Sequence, residues 1–343
     1  MEEGYIKNLL EKVVSSRDLS ENEAYKAFNL IFQGEFTPSQ IASFLTALKI
    51  KGENAAEIAG AATAMRENAL SIPVDADFKD ELVDTCGTGG DSKGTFNIST
   101  CASFIAAGAG VKIAKHGNYA VSSRSGSADV LRELGVNIFL KPEQVLKSIK
   151  YSNIGFLFAP AYHLAMKYAA PVRKELGFKT IFNILGPLTN PFGAKRQVIG
   201  VYSKNLAPKI IEVLKLLKAK HAFVVHGRDG MDEVSLSTLT DVYELKGKTA
   251  KSFEFNPEEY GFELCAPDKI KSAPPLLNAK IIYEILNGEP GPRAEIAILN
   301  AGFAIVVSGL KSNLSEAFTA ARESIKSGSA LKSLKKLVEI SAK

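Results

Sequence analysis

After Ala76 the chain alternates short apolar runs with helical patterns, and no other feature narrows its possible folds as much. Candidate strands fall at 82–85, 111–114, 136–139, 155–158, 198–202 and 222–225. Helical patterns between them cover 99–109, 128–134, 143–148 and 206–218. Such alternation builds parallel strands joined by crossover helices. Ligands of such sheets sit beyond the carboxyl ends of the strands. The polar segments that follow the strands are therefore where chemistry is expected.

The first ~70 residues have a different texture, with helix starts marked by capping signals. Ser20 and Glu23 have capping-box spacing, followed by apolar Ala24, Phe28, Ile31 and Phe32. Thr37-Pro38-Ser39-Gln40 offers an N-cap, a proline in the first turn and a reciprocal cap. Gly52 punctuates, and Asn54 with Glu57 repeats the pattern before an alanine-rich helix. A further helical-looking stretch covers 162–176, and the tail after Asn313 also reads as helical. The expected fold class is α/β, with a small all-helical domain and a larger domain built on a mainly parallel central sheet. The helical domain is placed at 1–73, joined in space by about 162–190, and the α/β domain at 74–343.

Composition excludes several classes. At 46% hydrophobic and 23% charged, the 343-residue chain has an ordinary globular balance. It contains no run of about 20 apolar residues, so no membrane partner is expected. Met1-Glu2-Glu3-Gly4 lacks the basic-then-apolar order of a signal peptide. Cys86, Cys101 and Cys265 are odd in number and lack metal-ligand spacing, which suits a reduced, cytoplasmic setting. A net charge of +5, spread among glutamates, reads as a solvated surface.

Four polar stretches carry chemistry. The first, DTCGTGGDSKGTFNIST (84–100), holds four glycines and four threonines between two pieces of core. A strand, a glycine loop and a helix start together favour phosphate, because inward N–H groups and the helix N-terminus attract anions. The loop fits neither the dinucleotide fingerprint, since Ser92 stands where its last glycine belongs, nor the Walker A pattern. The second stretch, AKHGNYAVSSRSGSADV (114–130), places Lys115, His116, Asn118, Ser122, Ser123, Arg124, Ser125 and Ser127 after another strand. Lysine and hydroxyl donors suit phosphoryl oxygens. The third, HGRDGMDEVS (226–235), has adjacent carboxylates at Asp232 and Glu233. In a loop both can face one cation, and carboxylates plus ligand phosphates are the usual grip on Mg²⁺. The fourth, 165–193, carries Arg173 and Lys174 in a helical pattern ahead of a Pro/Gly-rich turn. An arginine there can bind a carboxylate bidentately. Each stretch also has a plainer reading: a tight turn, a solvated serine loop, a charged turn and a surface arginine.

In this order, GTGGD, NIST, KHGN, SGSADVL, PVRKELG, IFNILGPLTNP and DEVS resemble the anthranilate phosphoribosyltransferase family. The resemblance runs through most of the chain. It implies the nucleoside phosphorylase and phosphoribosyltransferase class of fold with a helical N-terminal domain, and a site in the cleft between domains. It implies transfer of phosphoribose from phosphoribosyl pyrophosphate to the amine of anthranilate, with Mg²⁺ as cofactor and a homodimeric assembly. By motif, Gly87, Thr88, Gly89, Gly90 and Asp91 contact pyrophosphate and sugar, and Thr95, Asn97, Ile98, Ser99 and Thr100 line the same site. Ser99, Asp232 and Glu233 hold the metal. Lys115 binds phosphate, with Gly117, Ser122, Ser123 and Ser127 nearby. His116, Asn118 and Arg173 face anthranilate. Two positions depart from the family pattern: Tyr119 stands where arginine is usual, and Leu164 where proline is expected.

The implied chemistry has no certain catalytic base. An aromatic amine is a weak nucleophile, so departure of pyrophosphate leads, and Lys115, His116, Asn118 and Arg173 act by positioning. Two rival readings differ in class. A nucleoside phosphorylase of the same superfamily would need no Mg²⁺, and DEVS and KHGN argue against it. A nucleic-acid binder would show dense basic runs with interleaved aromatics; neither is present, and the chain has no tryptophan.

Overall fold

The computed structural model describes residues 2–120 and 125–342. Four helices open the chain: α1 (Glu2–Val14), α2 (Glu21–Gln33), α3 (Pro38–Lys51) and α4 (Ala55–Glu67). Their starts are set by the expected caps. Ser20, Thr37 and Asn54 each accept the backbone N–H three residues on, and Glu23, Gln40 and Glu57 reach back to the cap N–H. Glu57 does more than cap. Its fully buried carboxylate also accepts Leu19 N and pairs with Lys51 Nζ at 2.9 Å, so the charge is satisfied without water.

The helical core does not end with α4. Ala169, Val172, Ile181, Phe182 and Leu188 pack in one cluster with Phe28, Phe32, Phe44 and Leu45. Phe182 meets the Phe28 ring edge-on, 5.6 Å between centroids. The stretch 162–176 is helical but broken. A 3₁₀ turn, Leu164–Tyr168, precedes the helix Ala170–Leu176, which restarts at a proline.

A seven-stranded sheet forms the rest: β1 (Val83–Gly87), β2 (Ile113–Gly117), β3 (Ile154–Phe158), β4 (Arg196–Gly200), β5 (His221–Gly227), β6 (Thr240–Lys246) and β7 (Thr249–Phe255). The order is β3-β2-β1-β4-β5-β6-β7. The first five strands run parallel, and β6 and β7 continue antiparallel. The register pairs Gly87 with Gly200 and Gly117 with Phe158, which aligns the carboxyl ends along one edge. After β1 the chain moves outward to β2 and β3, then returns to β4 on the other side. The β1–β4 junction is therefore the switch point where such sheets open a crevice.

One expectation needs correction. Residues 136–139 form no strand. Val136 and Ile138 are buried while Asn137 and Phe139 are exposed, so the period-2 pattern is real. No strand is there to pair with, however. Asn137 N donates to Ser341 Oγ and Phe139 N to Asn137 Oδ1, and side chains satisfy what a ladder would have. The β6–β7 hairpin adds two antiparallel strands to this mainly parallel sheet. Helices cover both faces of the sheet. On one face lie Ile98–Gly108 and the 17-residue Pro292–Ser308, which is buried on nearly every side. Leu206–Leu216 packs on the other, within the cluster that includes the N-terminal helices.

Candidate active site

The loop 88–97 leaves β1 at the switch point and is tied to β4. Thr88 N donates to Gly200 O at 2.8 Å, and Tyr202 N to Thr88 Oγ1 at 3.2 Å. It is also tied to the loop after β5. Gly89 N donates to Asp232 Oδ2 at 2.8 Å, and Ser99 N donates to Glu233 Oε1 at 3.2 Å. The close approach depends on glycine at position 200, where a Cβ would lie 1.6 Å from Asp232 O. Adjacent residues at 232 and 233 thus reach two separate anchors: the glycine loop and the start of the helix Ile98–Gly108.

Asp232 and Glu233 are half-buried, with their carboxyl groups closely surrounded by protein. Both carboxyls are raised well above the usual carboxylate range. Enclosure by protein is the larger cause, followed by Asp91 for Asp232 and by Asp232 for Glu233. Among the described residues, no cluster of three or more His, Cys, Asp or Glu side chains could hold a metal alone. A crowded carboxylate pair beside the Ser99 hydroxyl fits Mg²⁺, which takes its remaining ligands from water and phosphate.

The end of β2 supplies the next group. Asp84 is completely buried inside β1 and accepts His116 N at 3.1 Å and Asn190 Nδ2 at 2.8 Å. Asn190 Nδ2 also donates to Ala114 O, which fastens the GPLTNP turn to β2. Lys115 is buried; its Nζ donates to Thr85 O and lies 3.4 Å from Ser99 Oγ. Burial pulls its pKa down, while Asp84, Cys86 and Glu233 oppose the shift. His116 Nδ1 lies 3.1 Å from Gly186 O, and its Nε2 is buried without a partner. The His163 ring stands edge-on to it at 5.1 Å; its ring nitrogens are buried and make no well-formed hydrogen bond, although the Thr189 and Met65 backbones lie against them. Burial, then the neighbouring His116, lowers His163 to about 3. Two neutral imidazoles with unused polar atoms beside the turn 186–190 mark a polar wall with capacity to spare.

Arg173 lies on the helix Ala170–Leu176, its guanidinium 5.0 Å from the Phe182 ring centroid. Desolvation pulls its pKa down. Among the described residues no carboxylate lies within ion-pair distance of it. A partly desolvated arginine with a planar fork and no anion suits a ligand carboxylate.

The remaining expected residues divide. Asn97 Nδ2 donates to Ser125 O and its Oδ1 accepts Ser125 Oγ, so Asn97 ties two loops together. Asn118 O accepts Ser127 Oγ at 3.3 Å, and Asn118 Oδ1 accepts Tyr119 N at 2.7 Å. Thr95 bridges to Lys271, Asp91 Oδ1 accepts Lys93 N, and the Ile98 and Thr100 side chains are buried. Gly117 closes β2 directly over Ser127 Oγ. Ser122, Ser123 and Arg124 lie outside the described residues. Tyr119, in place of an arginine, turns edge-on to Phe158 at 4.9 Å and joins an aromatic group with Phe139. Asp84, His163 and Lys179, which donates to Gly90 O, are neighbours of the site outside the expected site residues, and Asn190 lies within the IFNILGPLTNP motif without an expected role there. Asp84 has a sequence signal, a charge set inside an apolar strand.

The fold and this site define a class. Residues 79–331 match the glycosyl transferase family a/b domain and residues 7–69 its helical bundle domain, and the chain belongs to that family. Within it, the chain is 49% identical to the anthranilate phosphoribosyltransferase of Trichlorobacter lovleyi, over 98% of this chain and 99% of that one. The anthranilate phosphoribosyltransferase of Thermus thermophilus superimposes with a TM-score of 0.92 at 41% identity, covering 98% of this chain and 99% of that one. The Saccharomyces cerevisiae enzyme in complex with PRPP and Mg gives 0.90 at 32% identity, covering 99% and 98%. The chain is a member of the anthranilate phosphoribosyltransferases.

Proposed function

We infer that this chain transfers the phosphoribosyl group of 5-phosphoribosyl 1-pyrophosphate to the amine of anthranilate. The products are N-(5-phosphoribosyl)anthranilate and pyrophosphate, and the step belongs to tryptophan biosynthesis. The carrying observation is the pair of anchors at the switch point: Asp232 on Gly89 N and Glu233 on Ser99 N. They present a phosphate loop and a cation site together. Yeast and bacterial relatives of the same length support the reading.

Roles follow from position. The N–H groups of 88–91, with Lys115, take the pyrophosphate; Asn97 and Ser99 line the sugar side, and Ser127 sets the loop after β2. Ser122 and Ser123 keep the role that the motif implies. Asp232, Glu233 and Ser99 hold Mg²⁺, which when bound neutralises charge gathering on the leaving group. Arg173 binds the anthranilate carboxylate and Asn118 and His116 orient its ring, so the amine is held in line with the anomeric carbon. His116 stays neutral and does not repel the developing cationic sugar. The anthranilate carboxylate accepts the amine proton. The cleft lies between the helical part, 1–73 with about 162–190, and the α/β part, 74–343. The working form is a cytoplasmic homodimer.

Pyrophosphate release and anthranilate loss, followed in one reaction, test this reading. It requires one-to-one stoichiometry and a product whose mass is that of donor plus anthranilate less the released pyrophosphoric acid. Pyrophosphate release without loss of anthranilate would reduce the site to a hydrolase.

A further inference from the structure

A cation approaches the glycine loop from the helical side. Lys179 lies in the short link between the helix Ala170–Leu176, which carries Arg173, and the helical turn Phe182–Leu185. Its Nζ donates to Gly90 O at 2.9 Å and stands 3.6 Å from the centroid of the Tyr202 ring. Gly90 has φ +73°, and a Cβ there would lie 2.9 Å from Lys179 Nζ. The glycine thus leaves the room the ammonium occupies. Both central glycines of the loop are held, Gly89 N by Asp232 and Gly90 O by Lys179.

Among the described residues no carboxylate lies within ion-pair distance of Lys179. Its partners are a neutral carbonyl and a ring face, and an ammonium has three donors. A pyrophosphate seated on the loop would offer it charged oxygens, which are the stronger partners. Five residues separate Lys179 from Arg173, and Thr180 between Lys179 and Phe182 is buried with its N–H on Asn183 Oδ1. The segment is short and anchored, so what pulls Lys179 also sets Arg173.

We propose that Lys179 binds the pyrophosphate of the donor and couples the donor site to the acceptor site. Its ammonium leaves the Gly90 carbonyl for pyrophosphate oxygens, and the shift fixes the segment that presents Arg173 to the acceptor. The proposal rests on the transferase reading of the site.

The test compares wild type, Lys179→Met and Lys179→Arg. Calorimetry measures inorganic pyrophosphate binding with Mg²⁺, and kinetics measure both substrates. A charge-assisted contact stabilises by about 1.5–3 kcal/mol, roughly ten- to hundredfold in binding. K179M should weaken pyrophosphate and raise the donor KM by about that factor. It should raise the anthranilate KM as well, whereas K179R keeps pyrophosphate binding within about threefold. Unchanged pyrophosphate affinity in K179M would overturn the proposal. So would equal losses in both variants with a lowered melting temperature, which identify a packing role. If wild type binds pyrophosphate but never consumes anthranilate, the transferase reading fails, while the calorimetric comparison still decides the role of Lys179.

Discussion

Gly200 and Asp232 meet backbone to backbone: a Cβ on Gly200 would fall 1.6 Å from the Asp232 carbonyl oxygen. The contact sets how far the loop after β5 can advance over β4. It therefore sets whether Asp232 reaches Gly89 N. Gly200→Ala must push that loop away, a cost of about 1–3 kcal/mol by overpacking. The expected outcome is a folded protein with a lower melting temperature and activity down at least about tenfold, since about 1.4 kcal/mol is tenfold. An alanine variant with wild-type kinetics would mean that the loop is not held there.

Asp232→Asn combined with Glu233→Gln removes two carboxylates that enclosure and mutual repulsion hold above their usual range. A raised acid contributes stability below its unfolded pKa and loses it as pH rises through the folded value. Without metal, the double variant should therefore melt higher than wild type at about pH 8 and lose this advantage near pH 4. Its Mg²⁺ response should flatten and its apparent donor KM rise. Retained metal dependence would remove these carboxylates from the metal site.

Arg173→Ala should act mainly on the acceptor. An arginine with a ring behind it and, among the described residues, no anion beside it can hold a carboxylate. Loss of a charge-assisted contact predicts a roughly ten- to hundredfold rise in anthranilate KM. The donor KM should move much less. Equal losses for both substrates would indicate that the helix Ala170–Leu176 has shifted instead.

His163 fixes a pH limit. Its unfolded pKa is 6.5 and its folded value is about 3. Between those values the unfolded chain binds the extra proton, so stability falls as pH drops from about 6.5 and is unaffected above it. The slope approaches about 1.4 kcal/mol per pH unit for one such group. His116, also lowered by burial, adds in the same direction. Denaturant unfolding of His163→Leu from pH 7 to pH 4 should show a shallower loss than wild type. Parallel curves would mean that His163 protonates without unfolding the chain.

Sequence legibility followed the range of the interactions. Caps such as Thr37–Gln40 depend on residues three apart, and the first-turn patterns state them in full. The glycine loop, Lys115 and the carboxylates at 232–233 sit at strand ends, where the alternation already directs attention. The helix Pro292–Ser308 is buried on nearly every side and so lacks the polar stripe that marks a helix. Residues 136–139 show the reverse case: a strand pattern with one side buried and one exposed, whose backbone is satisfied by side chains without a ladder. His163 and Lys179 owe their places to contacts 47 and 89 residues away, with His116 and Gly90, and no local pattern encodes such pairings.

The most direct test follows anthranilate fluorescence after phosphoribosyl pyrophosphate is added, first with Mg²⁺ and then with excess chelator. The account predicts a fall that needs donor, acceptor and metal together, and that the chelator stops. Folded protein that leaves the fluorescence unchanged with Mg²⁺ present, or that consumes anthranilate equally well with chelator, would contradict it.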